Sequence, residues 1–139
     1  EERESLRISY DQRRKVLLAV MILVARNFRD HGGTLSTDTI RERLGLPTRI
    51  VNDVLFQLVQ AGQLIAVRSG DGERDVAFTP AHDLASTTVY GILEAVERTG
   101  QATLDLEQSA DLARVNRELE TLKQTVRQSP ENVRLTNLL

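Results

Sequence analysis

The chain has 139 residues, 40% hydrophobic, 27% charged and only 4% aromatic, with no cysteine. That suffices for one domain with an aliphatic core plus an appendage, and it excludes disulfides, thiol nucleophiles and the usual iron-sulfur ligands. A formal net charge of -2 and a pI near 5.7 deny the chain the global surplus of Lys and Arg on which phosphate binding normally rests.

The opening EERESLRI mixes both charges and reads as a loose lead-in. Ser9 followed by Gln12 is a capping-box pattern, so a helix is predicted from there through the apolar block Val16 to Ala25 and on to Phe28 or Arg29. That block is the longest apolar run and reaches only about half of the roughly 20 residues a membrane-spanning helix needs, so the chain as given is expected to be soluble. It begins with Glu1 rather than Met and lacks a signal-peptide layout, which points to a piece of something longer. The apolar residues cover more than one helix face, which puts this helix at the centre of the core or against a partner.

Asp30-His31-Gly32-Gly33 breaks the helix, and Thr34-Leu35 can supply a short edge strand. From Leu35 to Gly62 the sequence fits two helices joined by a tight turn. Ser36 or Thr37 is expected to cap the first, and Gly45 is the residue type that ends a helix in a left-handed conformation. Leu46-Pro47 makes the corner and Thr48 is expected to cap the second helix, where Ile50, Val51, Val54, Leu55, Leu58 and Val59 recur at helical spacing until Gly62. Leu64, Ile65 and Val67, then Val76 and Phe78, mark two strands around the turn-rich SGDGE, a hairpin. Three helices followed by a hairpin is the order of a winged helix-turn-helix, so residues 1–100 are read as a mostly α winged helix with a small β-hairpin wing.

Ser86 or Thr87 is expected to cap a fourth helix carrying Val89, Ile92, Leu93 and Val96 and ending near Gly100. Residues 101–139 are read as a helical extension and tail. A long polar helix is predicted from about Leu104 to Gln128, with Leu112, Val115, Leu119, Leu122 and Val126 spaced 3, 4, 3 and 4 as a heptad seam. Such a stripe can zip two chains together or fold back onto the first helix. Ser129-Pro130 ends it, ahead of the apolar-ended tail NVRLTNLL.

No catalytic, metal-binding or cofactor-binding set emerges from these elements. His31 beside Asp30 and His82 beside Asp83 stand in no metal or triad spacing, and Gly70-Asp71-Gly72-Glu73 has neither calcium-loop spacing nor the Lys-Ser/Thr of a P-loop. A hairpin turn accounts for it.

DNA recognition is the function most often attached to this fold, with the second motif helix in the major groove and the wing on the backbone. Thr48, Arg49, Asn52 and Asp53, and farther along Gln57, are placed to reach base edges, and Arg49 and Asn52 suit guanine and adenine. The surrounding charge opposes it. Arg41, Arg43, Arg49, Arg68 and Arg74 face Asp38, Glu42, Asp53, Asp71, Glu73 and Asp75, and the wing alone is net acidic. Arg13, Arg14 and Lys15 form a basic cluster that either compensates by contacting DNA or is simply a solvated first turn.

ISYDQRRKVLLAVMIL, RLGLPTRIVNDVLFQLVQAGQL, FTPAHDLASTTVYGILEAVE and SPENVRLTNLL together resemble the cytoplasmic C-terminal region of the YihY/BrkB family of bacterial inner-membrane proteins, long labelled ribonuclease BN. The resemblance implies about six membrane helices ahead of Glu1, each of about 20 apolar residues, with Arg13, Arg14 and Lys15 near the junction suiting the positive-inside rule. FTPAHDLASTTVYGILEAVE also resembles winged-helix repressors of the iron-sulfur regulator family. Their cluster cysteines have no match around Thr99 to Leu106, so no cofactor is carried over. Nothing here supplies the histidine and aspartate set that metal-assisted RNA cleavage needs.

The expectation is therefore a non-catalytic interaction domain on the cytoplasmic side of the inner membrane. Its partners would be its own membrane domain, a second copy or another protein, through Arg49, Asn52 and Gln57 or along the seam. A DNA-binding regulator is the alternative, and part of an RNA-processing protein is the weaker one.

Overall fold

A computed structural model of the chain describes residues 7–68, 76–99 and 104–139. The wing tip, with Asp71, Glu73, Arg74 and Asp75, lies outside the described residues, and so does the boundary at Gly100.

Helix α1 spans Tyr10–His31, slightly longer than its apolar block demands. The predicted capping box closes it at the start: the Gln12 amide donates to Ser9 Oγ at 3.0 Å, and the Ser9 amide donates to Gln12 Oε1 at 2.8 Å. Leu17, Val20, Met21, Val24 and Ala25 are buried, with Leu18, Ile22 and Leu23 partly so, and the helix is central to the core.

Strand β1 is the pair Leu35–Ser36, and Ser36 caps α2, Thr37–Leu44, by accepting the Thr39 amide at 3.2 Å. Gly45 at φ +62° turns the chain, and α3 runs Thr48–Gln60. The expected cap of α3 differs. Pro47 takes the N-cap position with no side-chain cap bond, and the Thr48 hydroxyl accepts from Arg41 Nη1 at 2.9 Å. Proline's fixed φ starts the helix one residue early, so Thr48 is already in the first turn and faces back to α2.

Strands β2, Leu64–Arg68, and β3, Val76–Pro80, form the antiparallel wing, and β1 adds to the far side of β3, giving the order β1-β3-β2. Leu35 registers with Phe78 and Ala66 with the same Phe78 from the other side. Phe78, Leu64 and Leu35 point into the core against α1 and α3. Sheet and three helices thus share one aliphatic centre, the arrangement of a winged helix.

Helix α4, Val89–Glu97, is capped by Thr88 rather than Ser86 or Thr87, through the Gly91 amide at 3.0 Å. The two expected caps are occupied in the preceding 3-10 turn, both hydroxyls donating to the Asp83 carbonyl. Helix α5 starts at Ala110, later than expected, where Ser109 accepts the Leu112 amide at 3.0 Å, and it ends at Gln128. Beyond it the chain returns to the body. The Leu135 amide donates to the Thr87 carbonyl at 2.7 Å, the Val89 amide donates to the Val133 carbonyl at 3.0 Å, and the Leu135 side chain is fully buried in the main core.

Candidate functional site

Helix α3 sorts its residues by the 3.6-residue turn. Ile50, Val51, Val54, Leu55 and Leu58 are buried on one arc, which leaves Thr48, Arg49, Asn52, Asp53, Phe56 and Gln60 facing outward. Arg49 and Asn52 enter no hydrogen bond or ion pair with the described residues. Gln57 lies at the border of the outward face, half-buried, and its Oε1 accepts from Arg13 Nη1 at 2.8 Å. Two of the predicted contact residues are thus spent on one another, tying α1 to α3.

The rest of the basic cluster is engaged as well. Arg14 Nη2 meets Glu97 Oε2 at 3.0 Å while its guanidinium lies 4.8 Å from the Tyr10 ring centroid, a cation–π contact. Tyr10 donates its hydroxyl to the same carboxylate oxygen, and burial followed by that carboxylate pushes the phenol's pKa up. Lys15 pairs with Asp11 at 3.2 Å in solvent.

Beside α3 runs an open groove of about 800 Å³, between the start of α2, the outward side of α3 and the wing. Thr37, Asp38, Arg41, Thr48 and Asn52 supply its polar rim, and Leu55, Val59, Ala66, Val76 and Phe78 its apolar lining. Arg41 bridges Asp38 and Thr48, so its charge is partly neutralised there. Phe56 borders the groove and is 66% exposed. It was missing both from the apolar stripe and from the contact residues predicted from the sequence, which were all polar. Its phase was the available signal: two residues past Val54 and two before Leu58, it falls opposite both.

The seam on α5 also faces out. Leu112, Val115, Leu119 and Leu122 are 46 to 60% exposed, and the helix has no fully buried residue. The alternative in which this stripe folds onto α1 is not what the chain adopts. Val126, at the foot of the seam, is half-buried beside a crevice of about 390 Å³ lined by Val89, Tyr90 and Leu93 of α4. The residue after Val126, Arg127, grips Glu94 in a fork, Nε to Oε1 at 2.8 Å and Nη2 to Oε2 at 2.7 Å. The hydrogen bonds from Arg127 hold the Glu94 carboxyl below its ordinary pKa, and the same pairing raises that of Arg127.

His31 closes α1 and His82 lies in the loop after β3, both exposed. Among the described residues no three His, Cys, Asp or Glu side chains come together as a metal site.

No protein-family model matches the sequence, and no curated protein matches it. Solved structures do. CymR of B. subtilis, described as the global cysteine regulator, superposes with a TM-score of 0.61 at 19% identity, over 96% of this chain and 95% of its own. IscR of T. potens gives 0.59 at 18% identity, over 96% and 85%. CymR of Staphylococcus aureus gives 0.58 at 17%, over 91% and 94%. Of the two sequence resemblances, these neighbours support the one to winged-helix repressors and not the one to YihY/BrkB membrane proteins. At such identities the likeness is one of fold, and over nearly the whole of both chains that fold is the winged helix-turn-helix.

Proposed function

We propose that this chain is a winged-helix transcriptional regulator that binds DNA through α3 and works as a pair of chains joined along α5. The observation that carries the reading is the outward face of α3, where Arg49 and Asn52, residues suited to guanine and adenine edges, stand unengaged by the described residues on the second helix of the motif. The exposed seam supports the pairing, since a dimer presents two such helices to two half-sites. The B. subtilis neighbour, described as the global cysteine regulator, favours the same reading.

The expected interaction domain of an inner-membrane protein has less behind it. The described residues contain no helix long and apolar enough to cross a membrane, which is neutral for a domain outside the bilayer. Charge counting alone ranks the two readings the other way. It weighs every acid and base equally, whereas affinity depends on the few cations that reach phosphate.

Association with random-sequence duplex DNA, followed by fluorescence anisotropy at ~50 and ~200 mM salt, tests the proposal. Binding at the lower salt that weakens at the higher is expected, with a shallow salt slope because Arg13, Arg14 and Lys15 are engaged. No association at the lower salt overturns it.

A further inference from the structure

We infer that Phe56 is a specificity-determining residue that reads the 5-methyl group of a thymine in the major groove, next to the bases met by Arg49 and Asn52. This rests on the DNA-binding reading of α3 and adds to it a base and the atom of that base.

At roughly 100° per residue, the buried arc of α3 is centred near Val54 and Leu58, and the positions diametrically opposite are Arg49 and Phe56. Phe56 is therefore at the crest of the helix. At 66% it is more exposed than any other aromatic side chain of the chain. A phenyl ring held in water on an otherwise polar helix face is unfavourable for the free protein, and its use lies in what covers it.

The immediate surroundings define that cover. Asn52 lies one turn before Phe56, about 6 Å along the axis, so with base pairs stacked ~3.4 Å apart the two side chains address base pairs within about two steps of each other. Asn52 can give an adenine both its hydrogen bonds, whereas Phe56 has no donor or acceptor and accepts only carbon. On its wing side the groove continues over Leu55, Val59 and Ala66, which add no polar atom of their own side chains to meet a base. The carbon group displayed in the major groove is the thymine methyl.

The test uses the full chain. Duplexes enriched from a random-sequence library are resynthesised with each thymine in turn replaced by deoxyuridine, which removes only the methyl. At least one replacement per enriched site is expected to weaken binding about fourfold, the effect of losing one buried methyl, and Phe56→Ala is expected to abolish that difference. Phe56→Leu, which keeps a carbon surface, should retain part of it. Circular dichroism should show all variants folded, since the ring is mostly in solvent. Sites in which every replacement is neutral, or a thymine preference that survives Phe56→Ala, overturn the inference and leave DNA binding standing. Failure to enrich any duplex overturns both.

Discussion

Glu94 and Arg127 meet as two forks, and the Glu94 side chain is only 11% exposed. Arg127 also reaches Glu120, and its carbonyl accepts from Asn132 Nδ2 at 3.2 Å, so one residue gathers α4, α5 and the tail. The folded Glu94 carboxyl keeps its charge to lower pH than it does in the unfolded chain. Its contribution to stability is therefore complete above the ordinary carboxylate range and is lost as pH falls through the lowered value. Melting temperatures of the wild type and Glu94→Gln, taken from about pH 7 down to about pH 3, should differ at the upper end and converge in acid. Curves that stay parallel would assign the fork no such role. None of this was legible in the sequence. Glu94 and Arg127 are 33 residues apart and each looks like an ordinary surface charge. The Ser9-Gln12 box was legible because both partners lie within one turn. The cap of α4 was not, since Ser86, Thr87 and Thr88 all qualify chemically and only the course of the backbone selects Thr88.

At the level of elements, α5 is the unusual one. A 19-residue helix without a fully buried residue is marginal by itself, because most helical stability in proteins comes from packing an apolar face. Its seam supplies the face, and in the proposed pair a second copy would supply the packing. Leu119→Glu places a charge in the middle of that seam on an already exposed position. Light scattering should give a dimer mass for the wild type and a monomer mass for this variant, with unchanged circular dichroism in the body of the domain. Equal masses would leave the seam without this function. Removing everything after Gly100 is a poorer experiment, because it also removes Leu135 from the core. The period of the seam was plain in the sequence, as were the turn at Gly45 and the order of helices and strands. What covers an apolar stripe is a tertiary fact, and spacing alone is equally satisfied by either answer. The same limit hid the state of the basic cluster, where neighbours in sequence have partners on three different elements or turns.

The whole molecule is one aliphatic centre built from both ends of the described chain. Leu17 and Val20 near the start share it with Leu135 near the end, and Leu139 packs against it. Leu135→Ala should lower unfolding free energy by about 2–5 kcal/mol, as for other fully buried leucines, which denaturant titration would read. A loss below 1 kcal/mol would mean that the site collapses around the smaller side chain. The same placement sets an order of events during synthesis. At about 5–20 residues per second, on the order of ten seconds separate the appearance of Leu17 from that of Leu135. From the addition of Pro80 until that of Leu135 the motif helices and the wing are already made but surround a centre that lacks its last buried leucine. The nascent chain therefore carries exposed aliphatic surface until its closing segment arrives, and a ribosome that stalls within α5 holds a domain that cannot yet shut.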